Sequence, residues 1–84
     1  MENIVTLELT RDEALVLEAL FARFEMEGRL VLKHNAESIA LSRISGQIEK
    51  ALVEPFKVDY LALVAAAQAR VAGDYEGLAR GVKP

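Results

Sequence analysis

The single histidine of this 84-residue chain, His34, is followed closely by Asn35 and Glu37. An imidazole beside a carboxylate can contribute to a metal site or act as an acid–base pair. Zinc sites, however, take three or four protein ligands, and the chain has neither a cysteine nor a second histidine. The residues therefore predict no metal and no cofactor, and they favour a loop histidine beside the start of a helix.

Serine chemistry is the second candidate, because Ser38, Ser42 and Ser45 follow the histidine. A nucleophilic serine is usually presented on a sharp turn such as the Gly-x-Ser-x-Gly elbow, which this sequence lacks. The glycines form no phosphate-binding loop either. We therefore predict a protein with no catalytic residues. The alternative is an enzyme or small-ligand-binding protein whose site at a dimer interface combines His34 and Glu37 with a residue of a second chain.

Arginines and aromatic residues predict a binding surface rather than a reaction. The segment 52–60 is the most unusual part of the sequence, since it places a proline, a phenylalanine and a tyrosine between two predicted helices. Arg43, Phe56 and Tyr60 are the candidate binding residues. A wider rim of arginines around phenylalanines suits an acidic peptide or another anion, and it consists of Arg11, Arg23, Arg29 and Arg43 around Phe21, Phe24 and Phe56. Core packing is the alternative for the aromatic residues.

Composition limits the class of protein. Hydrophobic residues make up 52% of the chain and charged residues 27%, which is typical of a folded domain. The net charge of −3 provides no basic footprint for nucleic acid, and the longest apolar run, residues 60–67, is too short to cross a bilayer. The absence of cysteine and of a basic, apolar leader predicts a cytoplasmic protein. The texture, rich in alanine, leucine and arginine, suggests a bacterial one.

Hydrophobic periodicity predicts a strand ahead of three helices. Alternating residues over 4–9 are typical of a half-buried β-strand, and the apolar run 30–33 predicts a short second strand. A two-stranded sheet is weak alone, so these strands could pair between chains. We predict an α+β fold, mainly α, with a single domain over 1–73 and a weakly ordered tail over 74–84.

The helix boundaries follow from capping residues. Thr10 and Glu13 match a capping box at the start of the first helix, and Gly28 is suited to end it after Glu27. The second helix is expected to end where a proline forbids continuation. For the second helix we predict an N-cap at Asn35 and an end at residue 53 or 54. For the third helix we predict an N-cap at Asp59 and an end at about Ala72.

Each predicted helix carries two apolar stripes, whereas a helix in a small monomer usually buries one face only. In the first helix the second stripe is the candidate dimer interface, formed by Leu15, Ala19, Ala22 and Met26. Gly46 interrupts the second helix and predicts close backbone packing there. We expect a homodimer in which the second helix is central within each subunit and the first helix forms the interface.

The predicted function is a non-catalytic protein-interaction or regulatory module whose protein partner the sequence does not identify. As an alternative, the order of a strand and two helices over residues 4–54 resembles the ribbon-helix-helix repressors and antitoxins, which implies a dimeric, DNA-binding ribbon. Those ribbons present basic or amide side chains, whereas the outward set here is Ile4, Thr6 and Glu8. An acidic residue facing the groove opposes binding to phosphate-rich DNA, so nucleic acid is not an expected partner.

Overall fold

The computed structural model describes residues 3–83 and contains three α-helices within them. They are α1 (Arg11–Glu27), α2 (Asn35–Ala51) and α3 (Tyr60–Ala72), and a 3₁₀ turn, η1 (Glu54–Phe56), connects α2 to α3. Residues 3–83 contain no β-strand, so the fold is all-α and the predicted α+β class is wrong. The predicted domain over 1–73 and tail over 74–84 also take in residues 1, 2 and 84, which lie outside the described residues.

Both predicted strands lie in segments without a pairing partner. Residues 3–9 are exposed and lie outside any helix, and their backbone groups make no backbone hydrogen bond with the rest of residues 3–83. Residues 30–33 belong to an irregular connection between α1 and α2. Alternating apolar residues favour extended chain, but a strand exists only where a second strand accepts and donates its hydrogen bonds. The periodicity therefore could not establish a sheet.

The predicted boundaries of α1 are confirmed. The Thr10 hydroxyl accepts a hydrogen bond from the Glu13 amide at 3.1 Å, and the Glu13 carboxylate accepts one from the Thr10 amide at 2.8 Å. At the other end Gly28 adopts a φ of 63°, and its amide donates to the Phe24 carbonyl at 2.7 Å. This left-handed backbone conformation favours glycine, because glycine has no Cβ to clash with the backbone.

The N-cap of α2 is His34, so the prediction of Asn35 in that role is wrong by one residue. Nδ1 of the imidazole accepts a hydrogen bond from the Ala36 amide at 2.9 Å. The Glu37 carboxylate accepts a second one from the Lys33 amide at 2.7 Å. These two side chains satisfy backbone amides at and before the first turn, as a capping box does.

The remaining boundaries agree closely with the sequence. α2 ends at Ala51, two residues before the earlier of its predicted ends, and Leu52 is its C-cap. α3 runs from Tyr60 to Ala72 as predicted. Asp59 occupies the predicted N-cap position of α3, but its carboxylate makes no capping hydrogen bond.

The helix at the centre of the subunit is α1, which packs against both α2 and α3. Within residues 3–83, α2 and α3 make no comparable contact with each other, so the expectation of a central second helix is wrong. The core contains hydrophobic residues from all three helices and the C-cap of α2, namely Leu15, Phe21, Ile48, Leu52, Val64 and Ala67. Because neighbours cover α1 on different sides, both of its apolar stripes contribute to the packing of one subunit.

Two side-chain pairs fix α3 antiparallel to α1. Arg70 donates two hydrogen bonds to the carboxylate oxygens of Asp12, at 2.7 and 2.9 Å. Tyr60, at the other end of α3, donates to Glu18. The bonds from Arg70 hold the pKa of Asp12 below its ordinary value. Since this ion pair is largely exposed, it contributes more to the alignment of the helices than to stability.

Gly46 has open space around it rather than the close backbone contact that its position in a helix suggests. A Cβ built there meets no atom within 4 Å outside its own helix. We therefore expect Gly46→Ala to raise the free energy of unfolding by about 0.5–1 kcal/mol, because alanine is the better helix former. Urea denaturation measures this change. Gly28→Ala is the matched control and should lower stability, since its φ is positive; destabilisation by Gly46→Ala would contradict the open environment.

Candidate interaction surface

The chain leaves an unusually large surface exposed. Its accessible area is 7421 Å², whereas a compact monomer of 9.2 kDa exposes about 4,900 Å² by the size scaling of folded monomers. The Cα radius of gyration is 14.2 Å for the 84 residues, against about 12 Å for a compact domain of that length. The chain therefore exposes roughly 2,500 Å² more than a compact monomer of its mass, and the exposed, non-helical segments 3–10 and 73–83 contribute to this excess.

Four exposed apolar side chains lie close together in the chain at the connection between α2 and α3. They are Val53, Phe56, Val58 and Leu61, which we call the η1 patch. Phe56 is 87% exposed, and Val58 is fully exposed. Large apolar side chains grouped in water mark interaction sites, and phenylalanine is enriched in protein interfaces. The η1 patch is therefore the strongest candidate site on the described surface.

The backbone beneath the η1 patch is held by hydrogen bonds. The Phe56 amide donates to the Val53 carbonyl at 3.0 Å, and the Lys57 amide donates to the Glu54 carbonyl at 3.0 Å. Pro55 occupies the start of the 3₁₀ turn, where its fixed φ favours that conformation. A side chain presented on an ordered turn loses little further backbone entropy on binding, so Phe56 is well placed to act as an anchor.

An ion pair attaches the η1 turn to the start of α1. Arg11 donates two hydrogen bonds to the carboxylate oxygens of Glu54, at 2.8 and 2.9 Å. The same carboxylate accepts a hydrogen bond from the Val53 amide at 3.2 Å. The bonds from Arg11 hold the pKa of Glu54 below its ordinary value. Glu54 and Arg11 therefore support the patch without forming part of its apolar surface.

Tyr60 and Glu18 form a hydrogen bond at the edge of the core. The Tyr60 hydroxyl donates to a carboxylate oxygen of Glu18 at 2.6 Å, and Glu18 is only 8% exposed. Burial and the adjacent carboxylate raise the pKa of Tyr60 to about 12. A buried carboxylate is costly without a donor, so this pair has a structural role in joining α1 to α3.

The predicted binding residues Arg43, Phe56 and Tyr60 do not form one surface. Phe56 belongs to the η1 patch, while the hydroxyl of Tyr60 is bonded to Glu18 and its ring packs against the core. Arg43 is exposed on α2, eight residues before Ala51, the last residue of that helix. That separation is roughly 12 Å along the helix axis. Of the three predicted residues, only Phe56 belongs to the η1 patch.

The wider arginine rim is also divided. Arg11 is bonded to Glu54, whereas Arg23 and Arg29 border an open cleft of about 270 Å³ beside the end of α1. Its other lining residues are Leu20, Phe24, Glu27, Leu30 and Gly81. The presence of Gly81 shows that the segment after α3 returns to the side of α1. The cleft is lined by one carboxylate as well as two guanidinium groups, so it provides no purely basic site.

The four residues predicted as a dimer interface have different environments. Leu15 is 4% exposed and belongs to the core, and Ala19 packs against that core. Ala22 and Met26 are exposed, and Met26 is 90% exposed. Leu15 therefore acts within the subunit, and only the end of this stripe is available to a second chain. Dimer formation itself stays a prediction.

His34 and Glu37 have an assigned role in the backbone of α2, because both side chains accept hydrogen bonds from amides near its start. Among residues 3–83, no group of three histidine, cysteine, aspartate or glutamate side chains has the arrangement to hold a metal ion. The pair can therefore be explained by helix capping.

Three residues of the η1 patch, Val53, Val58 and Leu61, were not singled out as binding residues by the sequence pattern. Residue 53 is a predicted end of the second helix, and Leu61 lies within the apolar run 60–67. The available signal is the apolar alternation at positions 56 and 58, directly after Pro55. Such residues fit neither helical periodicity nor the core, which is typical of a surface retained for contact.

Within residues 3–83, none of the helices combines the length and apolar character needed to cross a membrane. Comparison with models of known protein families, with curated proteins and with solved structures finds no match for this chain.

Proposed function

We propose that this chain is a small, non-catalytic interaction module that acts as a homodimer in the cytoplasm. The uncovered surface is the observation that supports this most strongly. Covering the excess of roughly 2,500 Å² on each chain would bury about 5,000 Å² in total, which is near the upper end of the range for obligate homodimer interfaces. The chain's own core, by contrast, contains few buried side chains.

The chemistry of the exposed surface supports the same proposal. It contains large apolar residues in the first segment, in the η1 patch and after α3, including Ile4, Phe56, Val58, Tyr75 and Leu78. Removing apolar surface from water stabilises an assembly by about 25 cal/mol per Å² of surface buried. A second copy of the same chain is always present in solution as a possible partner. Symmetric dimers are also the commonest oligomers of soluble proteins.

A DNA-binding repressor receives less support than a protein-interaction module. The ribbon of the ribbon-helix-helix family is a pair of strands, whereas residues 3–9 contain no strand. The net charge of −3 per chain also opposes association with a phosphate backbone. An enzyme with His34 and Glu37 in its site would need both side chains to leave the amides that they cap.

Sedimentation equilibrium of the full chain at micromolar concentration tests this proposal. We expect a mass of twice 9.2 kDa, with dissociation only on dilution. Gly46→Ala is a suitable control, because it should change helix stability without adding or removing a large apolar side chain. A mass of 9.2 kDa at every concentration would refute the homodimer.

A further inference from the structure

We propose that the η1 patch is a two-fold interface, in which the patch of one copy packs against the same patch of a second copy with Val58 next to the axis. This inference rests on the proposed homodimer and specifies the surface through which the dimer forms. It commits to a second copy of this chain as the occupant.

The η1 patch offers large exposed apolar side chains for such a contact. Phe56 and Val58 lie on a hydrogen-bonded turn, and Val53 and Leu61, which are also exposed, lie on either side of them in the chain. An exposed aromatic side chain on an ordered turn is typical of the residues that dominate binding energy. The turn is anchored by Glu54, so the patch keeps its shape before a partner arrives.

The charges around Val58 favour a second copy over a partner of one charge sign. An isologous interface must be complementary to itself, so that a residue i meets residue j and residue j meets residue i. Lys57 and Asp59 flank Val58 in the chain. When two copies cross antiparallel about Val58, Lys57 of each copy lies opposite Asp59 of the other. The turn that contains Val58 thus carries one cation and one anion in a self-complementary order.

Both charged groups are available for this contact. Neither Lys57 nor Asp59 takes part in an ion pair within residues 3–83. Asp59 occupies the N-cap position of α3, where an aspartate usually accepts a hydrogen bond from the helix, yet its carboxylate makes none. Substituting either residue therefore removes no ion pair within residues 3–83, and substituting Asp59 removes no capping hydrogen bond.

A charge-reversal experiment tests the inference. In Lys57→Asp two acidic side chains oppose each other at both ends of the two-fold contact, and in Asp59→Lys two basic ones do. We expect each variant alone to dimerise about tenfold more weakly than the unsubstituted chain at low salt. An equimolar mixture of the two variants restores opposite charges at both ends, so a heterodimer should form with nearly the original affinity, as measured by sedimentation equilibrium.

An apolar substitution provides a second test that does not depend on charge. Phe56→Ser should weaken dimerisation by at least about thirtyfold, as expected for an interface anchor. Met26→Ser is the matched control, because Met26 is equally exposed but lies fifteen residues from Arg11, near the other end of α1. Both side chains are exposed, so circular dichroism should show unchanged helix content.

The outcomes separate this inference from the homodimer itself. If the unsubstituted chain is a dimer, but the mixture stays as weak as its components and Phe56→Ser dimerises normally, the η1 patch is not the interface and the homodimer proposal still holds. Weakening by Met26→Ser instead of Phe56→Ser would overturn the patch in favour of the far end of α1. A monomeric unsubstituted chain would overturn both proposals.

Discussion

Leu15→Ala is expected to lower the free energy of unfolding by about 2–5 kcal/mol, because it leaves a cavity in the core. Leu15 is 4% exposed and packs in a core that contains few other buried side chains. A small domain has a total stability of the order of 5 kcal/mol, so this loss removes much of it. Urea denaturation followed by far-ultraviolet circular dichroism measures the change.

Met26→Ala is the matched control for this prediction. Met26 belongs to the same helical stripe of α1 but is 90% exposed, so its truncation should change stability by no more than about 0.5 kcal/mol. Equal effects of the two substitutions would contradict the burial of Leu15 between the helices. The comparison also separates the part of the stripe that stabilises the subunit from the part that faces outward.

Tyr60→Phe is expected to lower the free energy of unfolding by about 1–3 kcal/mol, because it removes the donor to a buried carboxylate. The Tyr60 hydroxyl lies 2.6 Å from Glu18, whose residue is 8% exposed. Tyr75→Phe serves as the control, since Tyr75 is 67% exposed and should be insensitive to loss of its hydroxyl. Equal stability of the two variants at neutral pH would show that the pair contributes nothing.

The same substitution predicts a specific dependence on alkaline pH. The pKa of Tyr60 rises from 10.0 to about 12 through burial and the adjacent Glu18 carboxylate. A group whose pKa is higher in the folded state stabilises the fold fully below its unfolded pKa, and this contribution is lost as pH rises through the folded pKa. The stability advantage of the unsubstituted chain over Tyr60→Phe should therefore be constant below pH 10 and shrink between pH 10 and about 12.

Denaturation at a series of pH values, together with the absorbance of tyrosinate, measures this dependence. In Tyr75→Phe the one remaining tyrosine is Tyr60, and it should ionise at about pH 12. Ionisation of Tyr60 near pH 10 in the folded protein would contradict the buried hydrogen bond.

Local signals in the sequence predicted the helices well. These signals are the capping box at Thr10, the left-handed glycine at Gly28 and the residues at the two ends of α3. Each depends only on residues within a few positions of each other, so it can be recognised without knowledge of the tertiary structure. The error at the start of α2 has the same local origin, since an imidazole nitrogen can accept the capping hydrogen bond in place of an asparagine oxygen.

Tertiary arrangement could not be derived from periodicity. The two stripes of α1 were compatible with an interface or with a helix covered from several sides, and only the positions of α2 and α3 distinguish these cases. The prediction of a strand at 4–9 is wrong for a related reason, because alternation describes a single segment and a sheet requires a second strand to pair with it. The unusual composition of segment 52–60 predicts a binding role for Phe56. The exposure of its apolar neighbours depends on how the chain runs between α2 and α3, which the sequence pattern does not show.

The concentration dependence of unfolding tests most directly whether a second copy completes this fold. We expect the urea midpoint to rise with chain concentration, since the native dimer is favoured by mass action. Over a hundredfold increase in concentration, the apparent stability should rise by about 2.7 kcal/mol per dimer. A constant midpoint over that range, with a native mass of 9.2 kDa, would contradict the homodimer and show that the chain folds alone.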